Sequence, residues 1–256
     1  IFYLNNLNKI YSFKMSEHKT NKKQLGRQST KRLLVKTIIY TVSSGDYLGK
    51  IANMYNNIYA SVGVHPNEAE GDADPTVDEL CLLSDHEKVI AIGETGLDYF
   101  RTGEENPEFQ QERFRRHIKC AKEVKKPLII HTRDAREDTI RIMKEERADQ
   151  IGGVMHCFTA TYEMAKEAMD MGFMISFSGI VTFKNATQVK EVASKVPLQS
   201  TLIETDSPYL APVPYRGKTN EPSYVRYVAE ELSKVKNISI RDIAATTTAN
   251  FDKLFK

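Results

Sequence analysis

The chain has 256 residues, 36 Lys+Arg against 34 Asp+Glu, and 41% hydrophobic residues. This balance excludes a largely disordered chain, a collagen-like chain and a coiled coil, and the length suits one large domain or two small ones. No apolar run approaches the roughly 18 residues that span a bilayer, and Cys81, Cys120 and Cys157 form no CxxC pair, which fits a reducing compartment rather than a disulfide scaffold.

The charge is uneven along the chain. Residues 1–50 carry 10 basic and 2 acidic side chains, and the remainder, with 26 and 32, is net −6. Residues 1–14 lack the basic start and apolar core of a signal peptide. Residues 15–32 are polar and basic with little periodicity, and no element is expected there. We therefore expect 1–35 to be an atypical, poorly ordered basic segment and 36–256 to be the folded domain.

From about residue 33, short apolar runs alternate with amphipathic stretches. Leu33–Val42, Ile58–Val64, Val89–Gly93, Pro127–His131, Gly152–Phe158, Met174–Ser178 and Thr201–Asp206 read as buried parallel strands. Pro107–Lys125, Ala135–Glu146, Thr161–Met171, Ala186–Lys195, Glu221–Lys234 and Ser239–Phe255 read as helices. Alternating strands and helices imply βαβ units and a parallel sheet. The expected fold is α/β, a (β/α)8 TIM barrel of about 250 residues, with strand 1 missing or atypical because only seven strands are legible.

Chemistry in such barrels sits at the C-terminal strand ends. Glu94, His131, His156 and Asp206 all stand there, and His65 follows ASVGV. A lone strand-end histidine is more often a satisfied core residue than a ligand. Four polar groups on four strands point instead to a mixed N/O site for a divalent cation. His18, His86 and His117 read as surface residues, and Cys157 as core by alternation. No GxGxxG, P-loop, GxSxG or HExxH motif is present, so no nucleotide cofactor or serine nucleophile is expected.

Several segments in order carry a family resemblance: IYASVGVHP (58–66), VIAIGETGLDYF (89–100), QQERFRRHIKCAKEVKKPLIIHTRDA (110–135), GGVMHCFTA (152–160), GFMISFSGIVTFKNA (172–186), LIETDSPYLAPVPYRGKTNEPSYV (202–225) and TTTANFDKLF (246–255). Over roughly 36–256 the chain resembles the TatD-type metal-dependent deoxyribonucleases, a branch of the amidohydrolase-like barrels. The resemblance implies a cytoplasmic, monomeric enzyme with two divalent cations (Mg²⁺, Mn²⁺ or Zn²⁺) that removes nucleotides from a DNA 3′ end. It implies no membrane association.

The resemblance makes Glu94 the carboxylate shared by both cations, His131 and His156 the histidines of the second cation, and Asp206 the aspartate near the first and a base for the attacking water. It places His65, Arg133, Tyr215, Arg216 and Lys218 near the substrate. The family's opening His-x-His pair, which binds the first cation, has no counterpart in this sequence. A truncated or frame-shifted start would explain that departure. Activity reduced by the lost ligands, a catalytically degenerate member, and a related barrel hydrolase acting on another ester or an amide are the alternative expectations.

Overall fold

The computed structural model describes residues 38–41, 58–68, 74–102 and 107–256. Among the described residues seven parallel strands pair in chain order: β1 (Ile38–Thr41), β2 (Ile58–Val62), β3 (Val89–Asp98), β4 (Leu128–Arg133), β5 (Gly153–Met155), β6 (Phe173–Phe177) and β7 (Thr201–Ile203). Each falls on an expected apolar run. Strands that neighbour in sequence order, with helices between them, give the barrel-type α/β sheet. The expectations for residues 1–35 lie outside the described residues.

The helices are α1 (Val77–Ser84), the single turn α2 (Tyr99–Thr102), α3 (Glu108–Val124), α4 (Arg136–Glu145), α5 (Tyr162–Asp170), α6 (Thr187–Lys195), α7 (Val225–Lys236) and α8 (Ile240–Phe255). Six match expected spans to within a few residues. The sequence reading passed over α1, although Thr76 and Glu79 form a reciprocal capping box at its start. Leu80 of α1 and Phe114, Ile118 and Cys120 of α3 are fully buried between helix layer and sheet. Burying each large apolar side chain contributes about 1.5–3 kcal/mol.

The other face of the sheet has its own layer. Ala91, Ile129, Val154, Met174 and Leu202, one each from β3 to β7, pack with Phe255. Phe251 and Leu254 of α8 join them. The Asn250 amide holds α8 in place by donating to the carbonyls of Leu198 and Thr201, both at 2.8 Å.

This inner layer sets the phase of the site. Side chains alternate along a strand, so residues two apart share a face. Two residues beyond Ile129, Val154 and Leu202 stand His131, His156 and Glu204. Strand β3 departs from strict alternation. Gly93 pairs with Ile129, but Thr95 pairs with Ile130, so Glu94 is an extra residue without a partner on β4. The bulge reverses the later alternation. Asp98 therefore pairs with Arg133 on the inner face, and Leu97 joins the outer core. Gly93 sits at φ +143°, where a Cβ would lie 2.5 Å from the Ile129 carbonyl oxygen, so only glycine fits the start of the bulge.

His117 corrects a sequence expectation. It is fully buried on α3, not at the surface. Its Nε2 accepts the Val64 N–H at 3.0 Å, and its Nδ1–H donates to the Arg113 carbonyl at 2.7 Å. Spacing on the apolar face of α3 (Phe114, Ile118 and Ala121 nearby) was the available signal. Burial pushes its pKa down to about 4.

The pH dependence follows. An unfolded imidazole titrates near ~6.5, so between that value and 4 the unfolded chain binds more protons. The stability contributed by neutral His117 is complete above pH ~6.5 and is lost as pH falls toward 4, by up to about 3 kcal/mol. A His117→Gln variant keeps a donor and an acceptor but does not titrate. The stability gap between wild type and variant, from urea unfolding, should shrink by that amount between pH 7 and 4. A pH-independent gap would contradict the assignment.

Candidate metal centre

Glu94 is the centre of the site. It is fully buried, and its Oε1 lies 2.9 Å from His131 Nδ1, 3.5 Å from His65 Nε2 and 3.6 Å from His156 Nε2. Burial alone would raise its pKa, but the imidazoles of His156, His131 and His65 outweigh that and hold it well below the usual carboxylate value. Glu94 is therefore ionised. Among the described residues its second oxygen, Oε2, is buried with no hydrogen-bond partner, as is Asp206 Oδ1, which lies 3.5 Å from His156 Nε2.

Each of two histidines has its far nitrogen held by a further carboxylate. His131 Nε2 meets Asp98 Oδ2 at 3.0 Å, which leaves Nδ1 facing Glu94. His156 Nδ1 meets Glu204 Oε2 at 2.7 Å, which leaves Nε2 facing Glu94 and Asp206. Burial disfavours charge on both rings. The carboxylates of Asp98 and Glu94 nevertheless raise His131, and those of Glu204, Glu94 and Asp206 raise His156 further. His65 behaves differently. Its Nδ1 accepts the Asn67 N–H at 3.1 Å, so Nε2 carries the proton toward Glu94, and burial lowers its pKa.

The sequence reading missed Asp98 and Glu204. Both were in view, Asp98 in ETGLDYF and Glu204 in LIETD. The β3 bulge that turns Asp98 inward leaves no mark in composition. Asp98 is braced further: Asn67 Nδ2 donates to its Oδ2 at 2.9 Å, and its own N–H donates to Gln110 Oε1 at 2.8 Å.

Among the described residues the donor groups form two neighbouring sets. His65, Glu94 and His131 offer ligand atoms within 4.8 Å of one another, as do His156, Cys157 and Glu204. Glu94 and Asp206 connect the sets through His156. His65, expected at the substrate, stands among the donors themselves. Cys157, expected in the core, is half-buried beside the site, with its Sγ 3.0 Å from Ser178 Oγ. A cation-binding histidine generally needs its outer carboxylate to fix the ring and raise its basicity, and removing that partner costs about 10–100-fold in metal affinity. Asp98→Asn should show that loss in calorimetric titration with Mn²⁺. An unchanged affinity would remove Asp98 from this role.

The other expected substrate residues contact aromatic rings rather than the Glu94 cluster. Arg133 ends β4, exposed, with its guanidinium carbon 3.6 Å from the centre of the Phe100 ring. Arg216 lies 3.7 Å over Phe183, and Lys218 is 5.7 Å from the Tyr215 ring. Tyr215 itself stacks on Tyr224 at 4.3 Å. Tyr215, Arg216 and Lys218 belong to the loop that follows β7.

Comparison with known proteins bears on this geometry. The family described as TatD related DNase matches residues 9–256. A relative in Bacillus subtilis, the uncharacterized metal-dependent hydrolase YabD, is 50% identical over 203 residues, 79% of each chain. Among solved structures, YjjV, a TatD homologue from Escherichia coli, superimposes with a TM-score of 0.79 at 28% identity, over 86% of both chains. A TatD family hydrolase from Entamoeba histolytica gives 0.73 at 26% identity, over 86% of this chain and 84% of that one.

Proposed function

The chain belongs to the TatD-related DNase family of metal-dependent hydrolases, and we propose that it is a divalent-metal-dependent deoxyribonuclease that removes nucleotides from the 3′ end of DNA. The carrying observation is Glu94: a buried, ionised carboxylate among three imidazoles, with one oxygen that has no hydrogen-bond partner among the described residues. Such an atom is costly unless a cation completes it. The buried orphan oxygen of Asp206 supports the same reading. The mixed nitrogen and oxygen donors suit Mg²⁺, Mn²⁺ or Zn²⁺.

Glu94, His131 and His156 would hold one cation. A second would rest on Glu94 and Asp206, the His-x-His pair being absent from the sequence. Bound cations supply Lewis acidity toward a phosphodiester and ease deprotonation of water. The chain's own groups do the remainder. Asp206 accepts the proton of the attacking water. His65, with its Nε2–H toward Glu94, stands beside the phosphate. Arg133, Arg216 and Lys218 offer charge-assisted donors to phosphate oxygens, and Tyr215 supports that loop.

A cytoplasmic location is part of the proposal, and the free thiols of Cys81, Cys120 and Cys157 suit such a reducing compartment. Among the described residues no helix is long and apolar enough to cross a membrane. The test is nucleotide release from 3′-labelled single-stranded DNA with Mg²⁺ or Mn²⁺, with and without EDTA, beside a His131→Ala variant. Release that needs the metal and is lost in the variant is the expected result. A folded, metal-loaded chain that releases nothing would move the reading to another ester or amide substrate or to a degenerate member.

A further inference from the structure

We infer that Phe100 and Arg133 form a stacking platform for the terminal nucleobase of an unpaired strand, an inference that rests on the nuclease reading above. Phe100 is 60% exposed, directly beyond the C-terminal end of β3. The Arg133 guanidinium lies 3.6 Å from its ring centre. That distance puts the cation directly over the ring, well inside cation–π range. A stacked guanidinium presents a planar, delocalised cation, which suits a base face as well as a phosphate.

The platform is tied to the metal centre. Asp98 Oδ1 accepts the Phe100 N–H at 3.1 Å, while Oδ2 meets His131 Nε2 at 3.0 Å. One carboxylate therefore holds both the backbone that carries the ring and a candidate metal ligand. Arg133 follows His131 by two residues on the same strand face, a rise of roughly 7 Å. That is about the reach from a phosphate held at the site to its own base. Arg216 covers Phe183 in the same manner, but Phe183 is half-buried. The open face is at Phe100.

The chemistry selects the occupant. A base stacks on a side chain only when it is neither paired nor sandwiched between neighbours, so the platform takes a single-stranded or frayed 3′ end. Charge agrees, because the guanidinium adds a cation to a surface that would take a polyanion.

The experiment compares two single-stranded oligonucleotides that differ only in an intact or abasic 3′-terminal nucleotide. Fluorescence anisotropy in EDTA gives binding without turnover, and nucleotide release with Mg²⁺ gives KM. Wild type should favour the intact end by roughly 5- to 100-fold in both readouts. Phe100→Ala should bring that ratio close to one. Arg133→Lys, which keeps the charge and loses the plane, should lower it in part. An unchanged thermal midpoint in each variant excludes misfolding. Equal binding and equal KM for the two ends in wild type, or an unaltered preference in Phe100→Ala, would overturn the platform while leaving the nuclease reading intact. A preference in anisotropy without any release would sustain the platform and overturn the nuclease reading.

Discussion

Glu94→Gln is expected to lower metal-dependent phosphodiester hydrolysis by at least ~10³-fold, a loss on the scale of removing a central electrostatic group from an active site. The substitution keeps volume and shape but removes the charge. Glu94 Oε1 lies within 3.6 Å of a ring nitrogen of each of His65, His131 and His156, and Oε2 is buried without a hydrogen-bond partner among the described residues. A glutamine amide would turn an N–H toward imidazole nitrogens that a cation needs free. Loss of the carboxylate should also let the pKa of His131 and His156 fall, since Glu94 is among the groups that raise each. Calorimetry with Mn²⁺ should show weakened binding in parallel with the lost activity, and circular dichroism should show the barrel intact. A variant within tenfold of wild type would mean that Glu94 is a structural buried acid and that the chemistry lies elsewhere.

Much of the architecture was legible because each strand had one job. Pro127–His131 ends in a histidine and Gly152–Phe158 carries one at His156, and both runs became buried strands with the histidine beyond the inner core layer. Helices with a regular apolar face, such as Pro107–Lys125, were found to within a residue or so at each end. The exceptions have local causes. Strand β3 runs to Asp98 rather than stopping at Gly93, because a bulge absorbs the polar residue that seemed to end it. Helix α1 is short and capped by a side-chain pattern, so its periodicity carries little weight.

The site was legible only in its innermost part. Glu94, His131, His156 and Asp206 announce themselves because an ionisable group directly after an apolar run is conspicuous. Asp98 and Glu204 do not, because their roles depend on which face they take. One extra residue at Glu94 turns Asp98 inward, and spacing alone does not reveal a bulge. His117 illustrates the converse. It sits among charged neighbours in ERFRRHIKCAKE, yet the helix turns it toward the Val64 N–H, and its charge state is set by burial.

Arg113→Met is expected to cost about 3–5 kcal/mol, the typical penalty for breaking a buried ion pair from one side. The reason lies in what a single guanidinium holds. Arg113 is 1% exposed. Its Nη2 meets Asp74 Oδ1 at 2.6 Å and its Nε meets Oδ2 at 3.1 Å, a bidentate pair. Its Nη1 donates to the carbonyls of His65 at 3.2 Å and Glu68 at 2.9 Å. Methionine fills similar space but takes the Nη1 donor away from both carbonyls. Asp74 keeps a weaker partner in Arg116 Nη2 at 3.4 Å, which argues for the lower half of the range. For a domain of this size the midpoint should fall by roughly 10 °C. Because these bonds anchor the turn that carries His65, activity should fall even at temperatures where the variant is folded. Adding Asp74→Leu should recover part of the lost stability by removing the stranded charge, without restoring the anchor. Urea unfolding of the two single variants and the double variant measures this directly. A loss below 1 kcal/mol for Arg113→Met would show that other contacts hold the His65 turn.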